Sequence, residues 1–144
     1  MKSPITNDVR IPIGSGADIV TARMEGRRLA SESGFCSLDL TVIATAISEL
    51  ARNIVEYARD GEVILTVIDE GNKRGFRVEA RDQGPGIPNV ELAMQDGYST
   101  GGGLGMGLPG TKRLMDEFTI SSRNGGATTV IATKWIRQPG SEKR

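Results

Sequence analysis

The chain has 144 residues, of which 38% are hydrophobic and 25% are charged, and its 18 Lys and Arg balance its 18 Asp and Glu. A chain of this length fits one domain that buries a core without disulfides or metals. Because it carries no net charge, it is a poor candidate for a general nucleic-acid binder. No apolar run approaches the roughly 20 residues that a membrane-spanning helix needs, and residues 1–6 lack the apolar core of a secretory signal.

Two residue counts exclude several catalytic chemistries. The chain contains no histidine, which excludes a Ser-His-Asp triad, a His-rich zinc site and histidine autophosphorylation. The single cysteine, Cys36, cannot form an internal disulfide and has no histidine to serve as its base. We therefore expect a half-buried free thiol in a reducing cytoplasm.

The first half of the chain predicts a strand, two helices and a hairpin. Gly34 stops the first helix, and Ser37 is a good N-cap for the second, which carries an apolar stripe of period 3.6. A turn over 71–75 separates the two strands of the hairpin. In chain order the elements are strand 8–13, helix 17–33, helix 37 to near 58, and strands 62–69 and 75–81.

The second half predicts a long loop, a helix and two more strands. The loop over 83–103 is rich in Gly and Pro, with one helical turn near 90–94. A helix over 104–117 and strands over 118–122 and 128–136 follow. This order predicts an α/β (α+β) two-layer sandwich, with helices on one face of a mixed, mostly antiparallel sheet. Residues 1–137 then form a single domain, and 138–144 form a disordered tail.

Four clusters of residues carry the chemistry, and the first lies on the second helix. Glu49 and Asn53 are four residues apart and so share one helix face. A carboxylate and an amide that project together suit a general base and a metal ligand. The alternative is an ordinary solvated polar face.

Two further clusters lie at strand ends. Asp82 ends a predicted strand and is followed by Gly84 and Gly86, and glycines at this spacing let the backbone approach a ligand closely. Thr128 opens the last strand, where its hydroxyl could contact a base through water. A plain turn and a β-turn explain these two clusters when each is taken alone.

The remaining cluster is a glycine-rich segment that leads into a helix. Such a segment presents free backbone N–H groups and the positive end of the helix dipole to phosphate, although a flexible linker is the alternative. Two familiar motifs fail here: 105–110 does not follow a strand as a dinucleotide fingerprint should, and Thr111 breaks the P-loop spacing before Lys112. The segment comprises Gly101, Gly102, Gly103, Leu104, Gly105, Met106 and Gly107.

The order and separation of the four clusters resemble the N, G1, G2 and G3 boxes of the GHKL (Bergerat-fold) ATPases and kinases, over residues 9–136. The resemblance implies that ATP and Mg²⁺ bind here. Asp82 would accept a hydrogen bond from the adenine amino group, and Gly84 and Gly86 would lie against the base. Asn53 would hold Mg²⁺, and Glu49 would be the general base.

The other two boxes complete the resemblance. The glycine-rich segment 101–107 would form the phosphate end of a lid over the nucleotide. Thr128 matches the threonine of the last box, whereas Ala127 stands where relatives commonly have glycine.

Segments 45–54, 82–88, 101–110 and 112–118 resemble more narrowly the RsbT-type serine/threonine switch kinases of bacterial stressosomes. The resemblance implies a cytoplasmic kinase that phosphorylates STAS-domain scaffold proteins and, once released, binds and activates a PP2C-type phosphatase, with no nucleic-acid or membrane partner. The alternatives are an anti-sigma factor serine kinase that sequesters a sigma factor, a non-catalytic nucleotide-gated binding module, and the catalytic fragment of a histidine kinase. The short glycine run at 101–103 favours the switch kinase over the anti-sigma factor.

Overall fold

A computed structural model describes residues 8–58, 60–84, 107–122 and 126–136. In this part of the chain, helices pack on one face of a five-stranded sheet. In chain order the elements are β1 (Val9–Ile13), α1 (Gly16–Glu32), α2 (Ser37–Tyr57), β2 (Gly61–Glu70), β3 (Lys73–Asp82), α3 (Gly107–Leu114), β4 (Glu117–Ser122) and β5 (Thr128–Ile136).

The sheet has the strand order β1-β2-β3-β5-β4, so β3 is its central strand. All four neighbouring pairs among the described strands are antiparallel. The predicted two-layer sandwich is confirmed, and its sheet is wholly antiparallel in these pairings rather than mixed. Antiparallel pairing follows for β2 and β3 because a two-residue turn joins them directly.

The core lies between the helices and one face of the sheet, with α2 at its centre. The middle of the apolar stripe of α2 is buried, as its 3.6-residue period predicts, whereas Leu38 in the first turn is 72% exposed. The buried members are Ile43, Ala46, Ile47, Leu50 and Ile54. Phe76 of β3 meets Phe35 edge to face, with 6.1 Å between the ring centroids. The small residues that α1 turns inward allow it to pack closely on α2: Ala22, Gly26 and Ala30.

Three details near the turns differ from the sequence-based expectations. Cys36, not Ser37, is the N-cap residue of α2. The backbone of Cys36 is extended, and Ser37 is the first residue of the helix. Cys36 is also exposed rather than half-buried. The hairpin turn is shorter than predicted, because the ladder runs as far as the pair Glu70 and Lys73.

The third helix ends at Leu114, three residues before the predicted end at 117. The chain leaves the helix because the N–H of Asp116 donates a hydrogen bond to the carbonyl of Thr133 in β5, at 2.9 Å. The strand β4 starts at the next residue. The predicted start of the helix at 104, most of the predicted loop 83–103 and the tail 138–144 lie outside the described residues.

Among the described residues, no helix is both long enough and apolar enough to cross a membrane.

Candidate functional site

The carboxylate of Glu49 lies between α2 and the beginning of α3. Only 8% of this residue is exposed, because it adjoins the buried stripe of α2. Its Oε2 accepts a hydrogen bond from Nη1 of Arg52 at 2.7 Å. Its Oε1 accepts a longer one, of 3.4 Å, from the backbone N–H of Gly107. Both carboxylate oxygens therefore have partners, which a buried charge requires.

Asn53 lies one helical turn beyond Glu49 and is half-buried. The two side chains occupy the same side of α2, as their spacing of four residues predicts. An amide oxygen and a carboxylate thus lie in neighbouring positions on the side of α2 where Glu49 meets α3.

The carboxylate of Asp82 lies at the end of the central strand β3. Its Oδ1 accepts a hydrogen bond of 2.8 Å from the N–H of Gly84, and it also accepts one from the backbone N–H of Thr128. Burial raises the pKa of the Asp82 carboxyl above its ordinary value, although these two donors act in the opposite direction. A partly desolvated acceptor held in this way can form a strong hydrogen bond with a donor on a ligand.

The glycine at 84 allows the chain after β3 to pack directly on the end of α2. A Cβ added at Gly84 would lie 2.6 Å from the Cβ of Ala58 and 2.9 Å from its Cα. Distances this short exclude any side chain without movement of the backbone. This contact places the chain that follows Asp82 against the C-terminal end of α2, the helix that carries Glu49 and Asn53.

Thr128 lies directly opposite Asp82 in the pairing of β5 with β3. Its side chain is buried, and its hydroxyl lies 2.8 Å from the hydroxyl of Ser122 in β4. Thr128 therefore supports Asp82 through its backbone, while its hydroxyl pairs within the sheet. The expected contact between this hydroxyl and a base through water stays a prediction.

Gly107 is the first residue of α3 and adopts a positive φ of 70°, a conformation that glycine takes without strain. Of the predicted lid, it is the one residue that the structure describes, and it lies against Glu49. The other predicted lid residues and Gly86 fall outside the described part of the chain: Gly101, Gly102, Gly103, Leu104, Gly105 and Met106.

Three residues at the site had no role in the sequence-based predictions. Arg52 was detectable, because it lies three residues after Glu49 and opposite charges at this spacing pair on a helix. Ser122 and Ala58 carried no such signal. Their contacts with Thr128 and with Gly84 depend on the strand register and on how the loop packs.

Comparison with known proteins identifies a family and several relatives of this chain. Residues 15–134 match the family described as the histidine kinase-like ATPase domain. The chain is 52% identical over 120 residues to the serine/threonine-protein kinase RsbT of Bacillus subtilis, covering 83% of this chain and 90% of RsbT. This agrees with the enzyme class that the sequence predicts, an ATP-dependent protein serine/threonine kinase.

Anti-sigma F factors are more distant relatives. The factor from Thermoanaerobacter sp. is 32% identical over 111 residues, covering 73% of this chain and 74% of that protein. The factor from Anoxybacillus flavithermus is 38% identical over 105 residues, covering 68% and 70%.

Among solved structures, the histidine kinase domain of the E. coli osmosensor EnvZ aligns with a TM-score of 0.42 and 24% identity, covering 73% of this chain and 72% of that one. This likeness is too weak to support an argument. The family match spans most of the chain, however, and RsbT is similar over nearly its full length. The chain belongs to the histidine kinase-like ATPase domain family.

Proposed function

We propose that this protein is a cytoplasmic kinase that transfers phosphate from ATP to a serine or threonine of STAS-domain stressosome scaffold proteins. Once released from them, it would bind and activate a PP2C-type phosphatase in stress signalling. The observation that carries the kinase part is the buried carboxylate of Glu49, directed at the beginning of the helix that follows the glycine-rich segment. The 52% identity to RsbT, a serine/threonine-protein kinase, supports the same reading.

The Asp82 end of the site suits adenine. The carboxylate is partly buried and is held by two backbone donors, which leaves it able to accept a further hydrogen bond from the adenine amino group. Because Gly84 has no side chain, the chain after Asp82 packs on Ala58 at the end of α2, which keeps this backbone beside the Asp82 carboxylate where the base would lie. Gly86 would continue this surface, and the lid residues 101–107 would cover the phosphates.

The donor set also suits Mg²⁺. Among the described residues, no group of three or more His, Cys, Asp or Glu could hold a metal ion by itself. Mg²⁺ needs no such cage, because it keeps several waters and binds substrate phosphates together with one or two protein oxygens. We infer that the side-chain oxygen of Asn53 is such a ligand, and that the ion neutralises phosphate charge there.

The acceptor hydroxyl would lose its proton to Glu49 while its oxygen forms a bond to the γ-phosphorus. The bond between that phosphorus and the oxygen bridging to the β-phosphate breaks, and ADP leaves. A general base of this kind typically contributes about 10² to 10⁴ in rate. Most of the remaining acceleration in phosphoryl transfer comes from positioning and from charge stabilisation.

The test is to incubate the protein with Mg-ATP and a STAS-domain protein, and to measure the intact mass of the latter. We expect one added phosphate with the wild type and none with Glu49→Ala. A matched control is Glu25→Ala, since Glu25 also pairs with an arginine three residues away but lies on α1 outside the site. Transfer that persists in Glu49→Ala would remove Glu49 as the base.

The anti-sigma F relatives give a second candidate function, a serine kinase that sequesters a sigma factor. Adding a purified sigma factor to the same assay distinguishes the two. Stable binding of the sigma factor in the presence of ATP would favour the anti-sigma function. Measurable ATP binding without any phosphate transfer would favour a nucleotide-gated binding module.

A further inference from the structure

Arg52 is the charged partner of Glu49 within the site. Its guanidinium contacts Oε2 of Glu49 at 2.7 Å, and the exposed fractions of the two side chains are 37% for Arg52 and 11% for Glu49. The arginine therefore reaches solvent, while the carboxylate that it holds is almost enclosed. The other carboxylate oxygen remains directed at Gly107.

This arrangement assigns different tasks to the two oxygens of Glu49. A glutamate side chain has three rotatable bonds, so an unpaired carboxylate can turn among several rotamers. The contact with Arg52 occupies Oε2 and fixes the plane of the carboxylate. Oε1 is then left on the side of α3, where the phosphates would lie. Reaction rates depend steeply on such placement, because a misplacement of about 1 Å can cost about 100-fold.

We propose that Arg52 is a positioning residue for Glu49, holding Oε2 so that Oε1 faces the acceptor hydroxyl. The proposal rests on the proposed kinase function and deepens it. The pair of Arg52 and Glu49 differs from a surface ion pair because one partner, Glu49, is buried. Exposed pairs contribute little to stability, whereas removing one partner of an enclosed carboxylate leaves a buried charge uncompensated.

The kinetic test compares Arg52→Ala with the wild type. We expect kcat for phosphate transfer to fall about tenfold, with KM for ATP changed by less than about twofold, because the arginine would act on the base and not on ATP. Arg52→Lys should recover part of the rate, since an ammonium can still donate to Oε2. The matched control is Arg28→Ala, which breaks an exposed pair of the same i,i+3 spacing on α1 and should leave both constants unchanged.

A double-mutant cycle shows whether Arg52 acts through Glu49. In a Glu49→Gln background, adding Arg52→Ala should cost no further rate, because the positioned group is already absent. A further tenfold loss in that background would overturn the proposal and show that Arg52 contributes directly. A rise in KM for ATP with kcat unchanged would overturn it as well. If Arg52→Ala does not fold, Arg52→Gln takes its place in both comparisons, with Arg52→Lys again as the variant that recovers part of the rate.

One readout is independent of catalysis. The amide resonance of Gly107 reports the contact with Oε1 of Glu49, so we expect Glu49→Gln and Arg52→Ala each to shift it and Arg28→Ala to leave it in place. An unshifted resonance in Arg52→Ala would overturn the proposal whether or not the protein is a kinase. If the resonance shifts but the wild type transfers no phosphate, the proposed kinase function fails, while the contact through which Arg52 orients Glu49 stands.

Discussion

Replacing Asp82 with asparagine should weaken ATP binding while changing stability little. The carboxylate is partly buried and accepts hydrogen bonds from the backbone N–H groups of Gly84 and Thr128. An asparagine of nearly the same shape can still accept from one of these donors. Its uncharged amide is a weaker acceptor for the adenine amino group.

The size of the affinity change follows from the loss of charge. A hydrogen bond to a charged group contributes about 1.5–3 kcal/mol, against about 1 kcal/mol for a neutral one. Each difference of about 1.4 kcal/mol changes an equilibrium constant tenfold. Since the amide retains some acceptor capacity, only this difference of about 0.5–2 kcal/mol is lost, and we expect the Kd for ATP to rise about 2- to 30-fold.

The stability change should depend on pH, with a sign set by burial. The pKa of Asp82 in the folded protein is raised above its ordinary value of 3.8, so the folded state favours the protonated form. The stability contributed by this group is present below pH 3.8 and is lost as the pH rises through the raised pKa. Asparagine does not ionise. The free energy of unfolding of the variant, relative to the wild type, should therefore increase with pH across this window.

Two measurements check these expectations. Isothermal titration with ATP gives the affinity, and urea unfolding over a series of pH values gives the stability. Asp69→Asn is a useful control, because the hydrogen bond from Arg74 lowers the pKa of Asp69 and the pH dependence should have the opposite sign. An unchanged Kd for ATP would refute the adenine contact. A relative stability that falls with rising pH would refute the argument from burial.

Three further substitutions test other parts of the structure. Gly84→Ala should destabilise the fold by about 1–3 kcal/mol and weaken ATP binding, because the new methyl group would overlap the end of α2. Gly16→Ala is its control, as nothing lies within 4 Å of a Cβ there, and urea unfolding should show it as stable as the wild type or more so. Phe76→Ala should cost about 3–5 kcal/mol in the same assay, because Phe76 is fully buried; a loss below about 1 kcal/mol would contradict the described core. Thr128→Val removes the hydroxyl pair with Ser122 but keeps the backbone donor to Asp82. It should cost about 1 kcal/mol of stability with less than a tenfold change in the Kd for ATP, and a larger change in Kd would show that the hydroxyl itself serves the nucleotide.

The regular elements were predictable because their signals are local. The apolar stripe of α2, the alternation in β1 and the run of β-branched residues in β2 are each visible within a short stretch of the chain. The errors fell at the ends of elements, where a longer-range contact decides. Asp116 leaves the helix for β5 because of its partner in another strand, and no spacing within 104–117 contains that information.

The residues of the candidate site also fall into those that local spacing places and those that only long-range contacts place. Glu49 and Asn53 could be placed on one face because the helix period fixes their relation. The proximity of Asp82 to Thr128 needed the pairing of β3 with β5, two strands that are distant in sequence. The four motifs single out candidate residues, but they do not predict that the N–H of Gly107 meets the carboxylate of Glu49.

The position of Asp82 in the middle strand of the sheet has a consequence for partial unfolding. Among the described strands, β1 and β4 form the two edges, while β3 and β5, which supply Asp82 and Thr128, are each paired on both sides. Proteins open locally at free energies that are smallest at frayed edges and approach the global value in central strands. Amide hydrogen exchange should accordingly be slowest around β3. The pairing of Asp82 with Thr128 would then survive the opening of either edge strand, and its loss would coincide with unfolding of the whole domain.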